Sequence, residues 1–173
     1  HFLSAEDRAD KAARQFQKMH ERAESGDLEA QEQLQELGHE AAELCLTAGE
    51  TARAAEIFEK SGQVDQAINL YVNILGQPEA AAHLFAKRGD HERAAALYEA
   101  AGERERALAS WIRWTSHADD PLLHLDEVDR LGDDAGQALL DTVVEERSLS
   151  RDNAELFYRV ATAYEDRQRS VEA

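Results

Sequence analysis

The sequence predicts an all-α fold, a solenoid of short antiparallel helical hairpins flanked by non-repeat helices. Three observations carry that prediction. Pro occurs only at Pro78 and Pro121, while Ala, Leu, Glu and Arg are plentiful, and these side chains lose little rotamer freedom in a helix. Glycines recur at Gly49, Gly62, Gly76, Gly89 and Gly102, with spacings of 13, 14, 13 and 13. Each of these glycines is followed at fixed offsets by an Ala and an aromatic residue, which is the signature of a repeat array.

From the N-terminus, Ser4-Ala5-Glu6-Asp7 reads as a helix start with Ser4 as N-cap, and the helix runs to about Ser25 before Gly26. Asp27 can cap the next one. Leu34, Leu37, Ala41, Leu44, Cys45 and Ala48 keep a three/four spacing straight through Gly38, which predicts one helix over 28–48, with a break at Gly38 as the alternative. Ala41 to Cys45 reads as a degenerate repeat whose aromatic position is Cys45.

Five residues after each repeat Gly stands Ala54, Ala67, Ala81, Ala94 or Ala107; three further on come Ile57, Leu70, Leu84, Leu97 and Ser110; the next position is Phe58, Tyr71, Phe85, Tyr98 or Trp111. These offsets of three and four share one helix face, so Ala, aliphatic and aromatic form a single buried stripe. Gly ends each helix because it takes the left-handed cap conformation without a Cβ clash. By residue type, Thr51, Asp65 and Asp90 are candidate N-caps, and Pro78 suits a first helical turn. Helices of this length are marginal alone and must bury the stripe on their neighbours. Successive short helices joined by tight turns make hairpins, and stacked hairpins make a solenoid.

The runs Ala-Ala-Glu-Ile-Phe-Glu-Lys-Ser-Gly at 54–62 and Ala-Ala-Ala-Leu-Tyr-Glu-Ala-Ala-Gly at 94–102 resemble the tetratricopeptide-repeat-like superfamily in their alternating small and aromatic positions. The resemblance covers about residues 41–115. Two helices here take 26–27 residues, shorter than that family's usual unit and more similar to the short-helix arrays of trafficking-coat and intraflagellar-transport solenoids and of bacterial multidomain proteins. The resemblance implies a right-handed α-solenoid that serves as a scaffold for protein–protein contacts. No peptide-clamp residue of the family carries over, because the repeat length differs.

Downstream, 116–120 reads as a loop and Asp120-Pro121 as the start of a helix carrying Leu122, Leu123, Leu125, Val128 and Leu131, ended by Gly132. Asp133 or Asp134 starts another, with Ala138, Leu139, Val143 and Val144 inward. Ser148 to Ser150 reads as a turn, and Ser150 or Asp152 caps a last helix carrying Leu156, Phe157, Val160, Ala161 and Tyr164. The expected organisation is therefore N-terminal helices over 1–50, the repeat array over 51–115 and a divergent or capping set of helices over 116–173, all one continuous domain. The absence of an initiator Met and the mid-pattern C-terminus suggest a segment of a larger protein.

The net charge of −17 is unevenly spread: −7 over residues 1–50, −1 over 51–115 and −9 over 116–173. Acidic flanks repel nucleic acid and anionic membranes, so neither is expected as a partner. No apolar run reaches the roughly 20 residues of a membrane span. There is no signal-peptide pattern, and a single Cys on an apolar helix face fits a reducing, cytoplasmic setting.

Catalytic signatures fail on spacing. His-Glu-x-x-Glu at 20–24 and 39–43, and His-Glu at 91–92, lack the His in the fifth position that would put two zinc ligands on one face. The acidic stretch from Asp119 to Asp134 lacks the spacing of a calcium loop. There is no phosphate-binding Gly loop and no nucleophile elbow. No catalytic, cofactor or metal residue is predicted. If helices 51–61, 78–88 and 104–115 line a concave face, their non-stripe residues Arg53, Lys60, His83, Lys87, Arg106 and Arg113 form a basic set in an acidic chain. That predicts a groove for an acidic segment of a protein partner or of the parent protein. Trp114 shares a face with Trp111 and is either an exposed anchor for a partner or packing for the next helix. The expected function is a non-catalytic interaction scaffold; the alternative is a regulatory or sensory segment of a larger multidomain signalling enzyme.

Overall fold

A computed structural model describes residues 3–132 and 134–172. They form ten α-helices and, among the described residues, no strand. The chain divides into two compact units, 1–84 and 85–173.

In the first unit, α1 (Ala5–Glu24) opens with a capping box: the Asp7 N–H donates to Ser4 Oγ at 3.0 Å and the Ser4 N–H to Asp7 Oδ2 at 3.1 Å. Asp27 accepts from the Ala30 N–H at 3.1 Å and starts α2 (Leu28–Thr47), which runs unbroken through Gly38. Gly38 has a packing role. A Cβ there would collide with the Ser61 Cβ and stand 2.7 Å from its Oγ and 3.0 Å from the Phe16 ring. Around this crossing Gln63 ties the end of α3 (Thr51–Lys60) to α2, donating to the Gln35 carbonyl at 3.1 Å and to Ser61 Oγ at 2.9 Å. α1 packs on α2 and α3, and α3 packs on both α2 and α4 (Val64–Asn69).

One turn links the repeats. Gly49, Gly62, Gly76, Gly89 and Gly102 all have φ between 62° and 82°, where a Cβ is strained. At Gly62, the glycine N–H donates to the Glu59 carbonyl at 3.1 Å and the next N–H, of Gln63, to the Phe58 carbonyl at 2.8 Å. The same pair of bonds recurs after Phe85 and Tyr98, and also after Cys45, whose carbonyl accepts from Glu50 at 2.8 Å. This is the Schellman closure, and the repeat aromatic occupies the position whose carbonyl receives its long bond. The residue after Gly is already the N-cap of the next helix. That corrects two expected caps: Glu50 and Gln63 hold the N-cap positions without a side-chain bond, and Thr51 and Val64 begin their helices, which leaves Asp65 inside the first turn. Asp90 does cap, accepting from the Arg93 N–H at 3.3 Å.

The 14-residue spacing from Gly62 to Gly76 has its own device. After α4 the backbone widens into a π turn, Leu70–Ile74, in which the Leu75 N–H reaches the Leu70 carbonyl at 2.9 Å. The closing bond, from Gln77 to the Tyr71 carbonyl at 2.8 Å, spans one residue more than in the other turns. The extra residue lies between Tyr71 and Gly76, so it leaves the Ala–aliphatic–aromatic register intact.

The Ala stripe is sealed: Ala54, Ala67, Ala81 and Ala94 are each 0% exposed. Phe58, Tyr71 and Tyr98 are buried with it, each contributing about 1.5–3 kcal/mol. Phe85 and Trp111 are only half-buried, short of the uniform core expected. Two aromatics donate back one repeat: Tyr71 Oη to Glu59 Oε2 at 3.2 Å and Trp111 Nε1 to Glu99 Oε1 at 2.9 Å. Burial, then the Glu59 charge, pushes the Tyr71 phenol up to about 12.

α5 (Pro78–Lys87) begins on Pro78 and straddles the division between units. In the second unit α6 (His91–Ala100) packs on α7 (Arg104–Ser116), and α7 packs on α8 (Leu125–Leu131) and α9 (Ala135–Glu146). The chain after α7 enters a short 3₁₀ turn, Pro121–His124, with Asp120 accepting from the Leu122 N–H at 3.2 Å. Arg147 closes the C-terminus of α7, donating from Nη2 to the Ser116 and Ala118 carbonyls at 2.6 Å each. The core here changes from Ala to Ile112, Val128, Leu139, Leu140, Val143 and Val160.

Val144, expected to face inward, is exposed, and Leu140 packs in the core instead; Leu123, Leu131 and Ala161 are exposed as well, while Ala163 packs against the core. Without the glycine-closed turn the helix phase is set by contact with neighbours, which period alone does not fix. α9 starts at Ala135 after Asp134, whose side chain makes no cap bond; Asp133 lies outside the described residues. α10 (Ala154–Glu172) follows Asn153, rather than a cap at Ser150 or Asp152, and the Asn153 side chain bonds back to Ser148 and Ser150.

Gly38→Ala should lower stability by about 1–2 kcal/mol in urea denaturation despite the better helix propensity of Ala, and Ser61→Gly in the same chain should recover most of it. A Gly38→Ala chain at least as stable as the parent would refute the close-approach role. Tyr71 is protonated in the fold above its ordinary value of 10.0, so its contribution is complete below that pH and is lost as pH rises toward about 12. Tyr71→Phe should therefore flatten the alkaline limb of a stability–pH profile in that window.

Candidate functional site

Three concave surfaces carry the residues of interest, one in the first unit and two in the second. In the first unit, α1 and α3 enclose a cleft of about 240 Å³ lined by Arg14, Arg53, Glu56 and Lys60 over Phe16 and Ile57. Arg53 and Lys60 thus line one cleft together with Arg14 from α1. Arg53, however, is engaged within the chain: its Nη1 donates to Asp10 Oδ1 at 2.6 Å and to Glu50 Oε2 at 2.9 Å. The Arg53 hydrogen bond and charge hold the Asp10 carboxyl below its usual range, against a smaller effect of burial. Arg53 is a clamp between α1 and the α2–α3 turn, and Arg14 and Lys60 are exposed cations of the cleft.

In the second unit, the end of α5, α6 and α7 form a groove of about 360 Å³ lined by Ala86, His91, Tyr98, Arg106, Ala109, Ser110 and Arg113. Arg106 and Arg113 are seven residues apart, two helical turns along one face of α7. Arg106 lies 5.9 Å over the Tyr98 ring and has a long 3.9 Å contact to Glu103. Arg113 pairs with Glu146 at 3.3 Å. His91 closes the groove floor; its Nδ1 is buried without a hydrogen-bond partner. Burial, followed by the charges of Arg113 and His117, pushes the imidazole below its ordinary value. His83 and Lys87 are exposed on α5 and line none of the three surfaces.

On another face of α7, a pocket of about 260 Å³ is built from Glu99, Trp111, Trp114, Thr115, His124, Glu127, Val128 and Leu131. Trp111 and Trp114 meet edge to face with ring centroids 5.3 Å apart. Trp114 also leans on His124 at 6.3 Å, yet remains 39% exposed. It belongs both to the packing of α7 on the next segment and to the surface. Glu99, His124 and Glu127 have no repeat or motif signal in the sequence. Glu99 is foreshadowed only by its spacing from Trp111, the same twelve residues that separate Glu59 from Tyr71.

Ser116, His117 and Glu146 also lie close together. The Ser116 hydroxyl stands 2.8 Å from the Arg113 carbonyl and 3.0 Å from Glu146 Oε2, and His117 Nδ1 is 2.7 Å from the same carbonyl. Ser116 is 2% exposed, so this set seals the end of α7 rather than presenting a nucleophile. Cys45 is fully buried, and burial pushes its thiol up, away from thiolate reactivity. Among the described residues no group of three His, Cys, Asp or Glu side chains could hold a metal ion, and no helix is long and apolar enough to cross a membrane. No protein-family model matches the chain, and no curated protein or solved structure matches it significantly.

Asp10 contributes to stability above its ordinary value of 3.8, and this contribution is lost as pH falls through its lower folded-state value. Asp10→Asn should therefore remove part of the acid-side loss in a stability–pH profile while leaving the near-neutral helical signal in place. An unchanged acid limb would mean that the Arg53 clamp does not hold in solution.

Proposed function

We propose that this chain is a non-catalytic protein-interaction module, a short-helix solenoid of the tetratricopeptide-like kind over residues 51–115, that holds an acidic segment of a partner. One observation supports this most: Arg106, Arg113 and His91 converge on a single groove in a chain of net charge −17. The repeat stripe is occupied by packing, so recognition falls to the residues between its members. Arg106 and Arg113 are exposed, planar and able to grip carboxylates with two bonds at once. Both arginines stay more than half exposed in their present pairs with Glu103 and Glu146, so each can turn to carboxylates of a partner. His91 adds a group that is neutral at neutral pH and would gain charge on acidification, beside Arg113, His117, Glu146 and Asp90.

Fluorescence anisotropy of a labelled oligoglutamate peptide on the full chain tests the reading. Arg106→Glu/Arg113→Glu should weaken binding by at least about tenfold, with helical circular dichroism unchanged, and binding to the parent should decline with salt. Lys87→Glu, outside the groove, should leave it within about twofold. Equal binding by the double variant and the parent would sink the proposal.

A further inference from the structure

We propose that the aromatic pocket between α6, α7 and α8 is a second, independent site that takes a cation: the guanidinium of an arginine presented by a partner protein. The pocket offers a cation two kinds of attraction. Its wall is the Trp111–Trp114 pair with His124 beside it, and indole faces are the strongest π partners for a cation. Its rim carries Glu99 and Glu127, and no Lys or Arg lines it. Glu99 is held in place because its Oε1 accepts the Trp111 indole N–H at 2.9 Å, which leaves its other oxygen able to accept. Glu127 has only a long 3.7 Å approach to His124 and is mostly exposed.

The chain uses the same chemistry elsewhere within itself. Arg93 lies 5.6 Å over the Phe85 ring and Arg106 lies 5.9 Å over the Tyr98 ring. Among the described residues, the tryptophan pair has no such cation from its own chain, although it is the stronger acceptor. Trp114 is 39% exposed and Leu131 47% exposed, so an incoming side chain would also cover apolar surface.

The carboxylates choose among possible occupants. An apolar side chain would strip water from Glu99 and Glu127 and return nothing. A quaternary ammonium would fill the aromatic wall but has no N–H for the carboxylates. A guanidinium stacks flat on an indole while its in-plane N–H groups reach carboxylates at the edge. The pocket borders the most acidic stretch of the chain, 116–173 at −9, which draws a cation toward it.

Both tryptophans of the chain line this pocket, so tryptophan fluorescence, excited selectively over tyrosine, reports on it. The full chain is titrated with a blocked Gly-Arg-Gly peptide, with its neutral citrulline counterpart and with tetramethylammonium, all at matched ionic strength. The arginine peptide should give a saturable change in the millimolar range, and citrulline should bind at least about tenfold more weakly. Glu127→Gln, an exposed substitution, should weaken the arginine peptide several-fold. Trp114→Leu should abolish the response, with Trp111 still reporting. Both variants should retain oligoglutamate binding at the Arg106/Arg113 groove, so failure of either site is read separately. No saturable response to the arginine peptide, an equal response to citrulline, or tighter binding of tetramethylammonium would overturn the assignment.

Discussion

Every repeat of this chain depends on a turn made by one glycine. With Gly in the left-handed region, the N–H of the next residue reaches back to the carbonyl of the repeat aromatic, as from Gln63 to Phe58 at 2.8 Å. That residue is at once the last of one helix cap and the first of the next. A ten-residue helix such as α3, its C-cap, the glycine and the shared N-cap account for the 13-residue step. The aromatic therefore has two duties. Its side chain fills the core and its carbonyl anchors the turn. Cys45 keeps the second duty without the aromatic ring, which makes the end of α2 the first turn of the array.

So tight a link leaves no slack, and the two departures from regularity show how the backbone absorbs them. Where one residue is added before Gly76, the helix widens into a π turn and leaves the buried face in register. Where α2 must cross the α3–α4 turn closely, Gly38 and Ser61 meet with no room for a methyl group. Two of the repeat aromatics also tie back to the preceding repeat through a polar tip: Tyr71 to Glu59 and Trp111 to Glu99, each twelve residues earlier.

α7 is the element that joins the buried core to two of the concave surfaces. Its Ala107, Ser110, Ile112 and Thr115 are buried, its Arg106 and Arg113 line the basic groove, and its Trp111 and Trp114 line the acidic aromatic pocket. A 13-residue helix turns through more than three revolutions, enough to present three different faces. Two sides of one helix thus carry lining of opposite charge, arginines on one and the glutamate-rimmed tryptophans on the other.

Much of this was legible in residue order. Helix content, the glycine turns, the sealed Ala column, the Ser4, Asp27 and Asp90 caps and the uninterrupted α2 all follow from local rules: steric freedom at φ, side-chain period and cap chemistry act within one or two turns of chain. The sites were legible only in pieces. Arg106 with Arg113, and Arg53 with Lys60, share faces by helical spacing alone, but nothing local says that Asp10, more than forty residues away, occupies Arg53, or that His91 joins the groove. Likewise Trp114 could be seen as surplus to the repeat, while its neighbours His124 and Glu127 arrive from a different helix and turn. Contacts between elements distant in sequence depend on how whole faces pack, and so does the phase of the helices beyond 116, where no glycine-closed turn sets it. Residue order determined the repeat, because its rules act within a turn or two of chain; tertiary packing decided which exposed charges pair with one another, because those partners lie on elements distant in sequence.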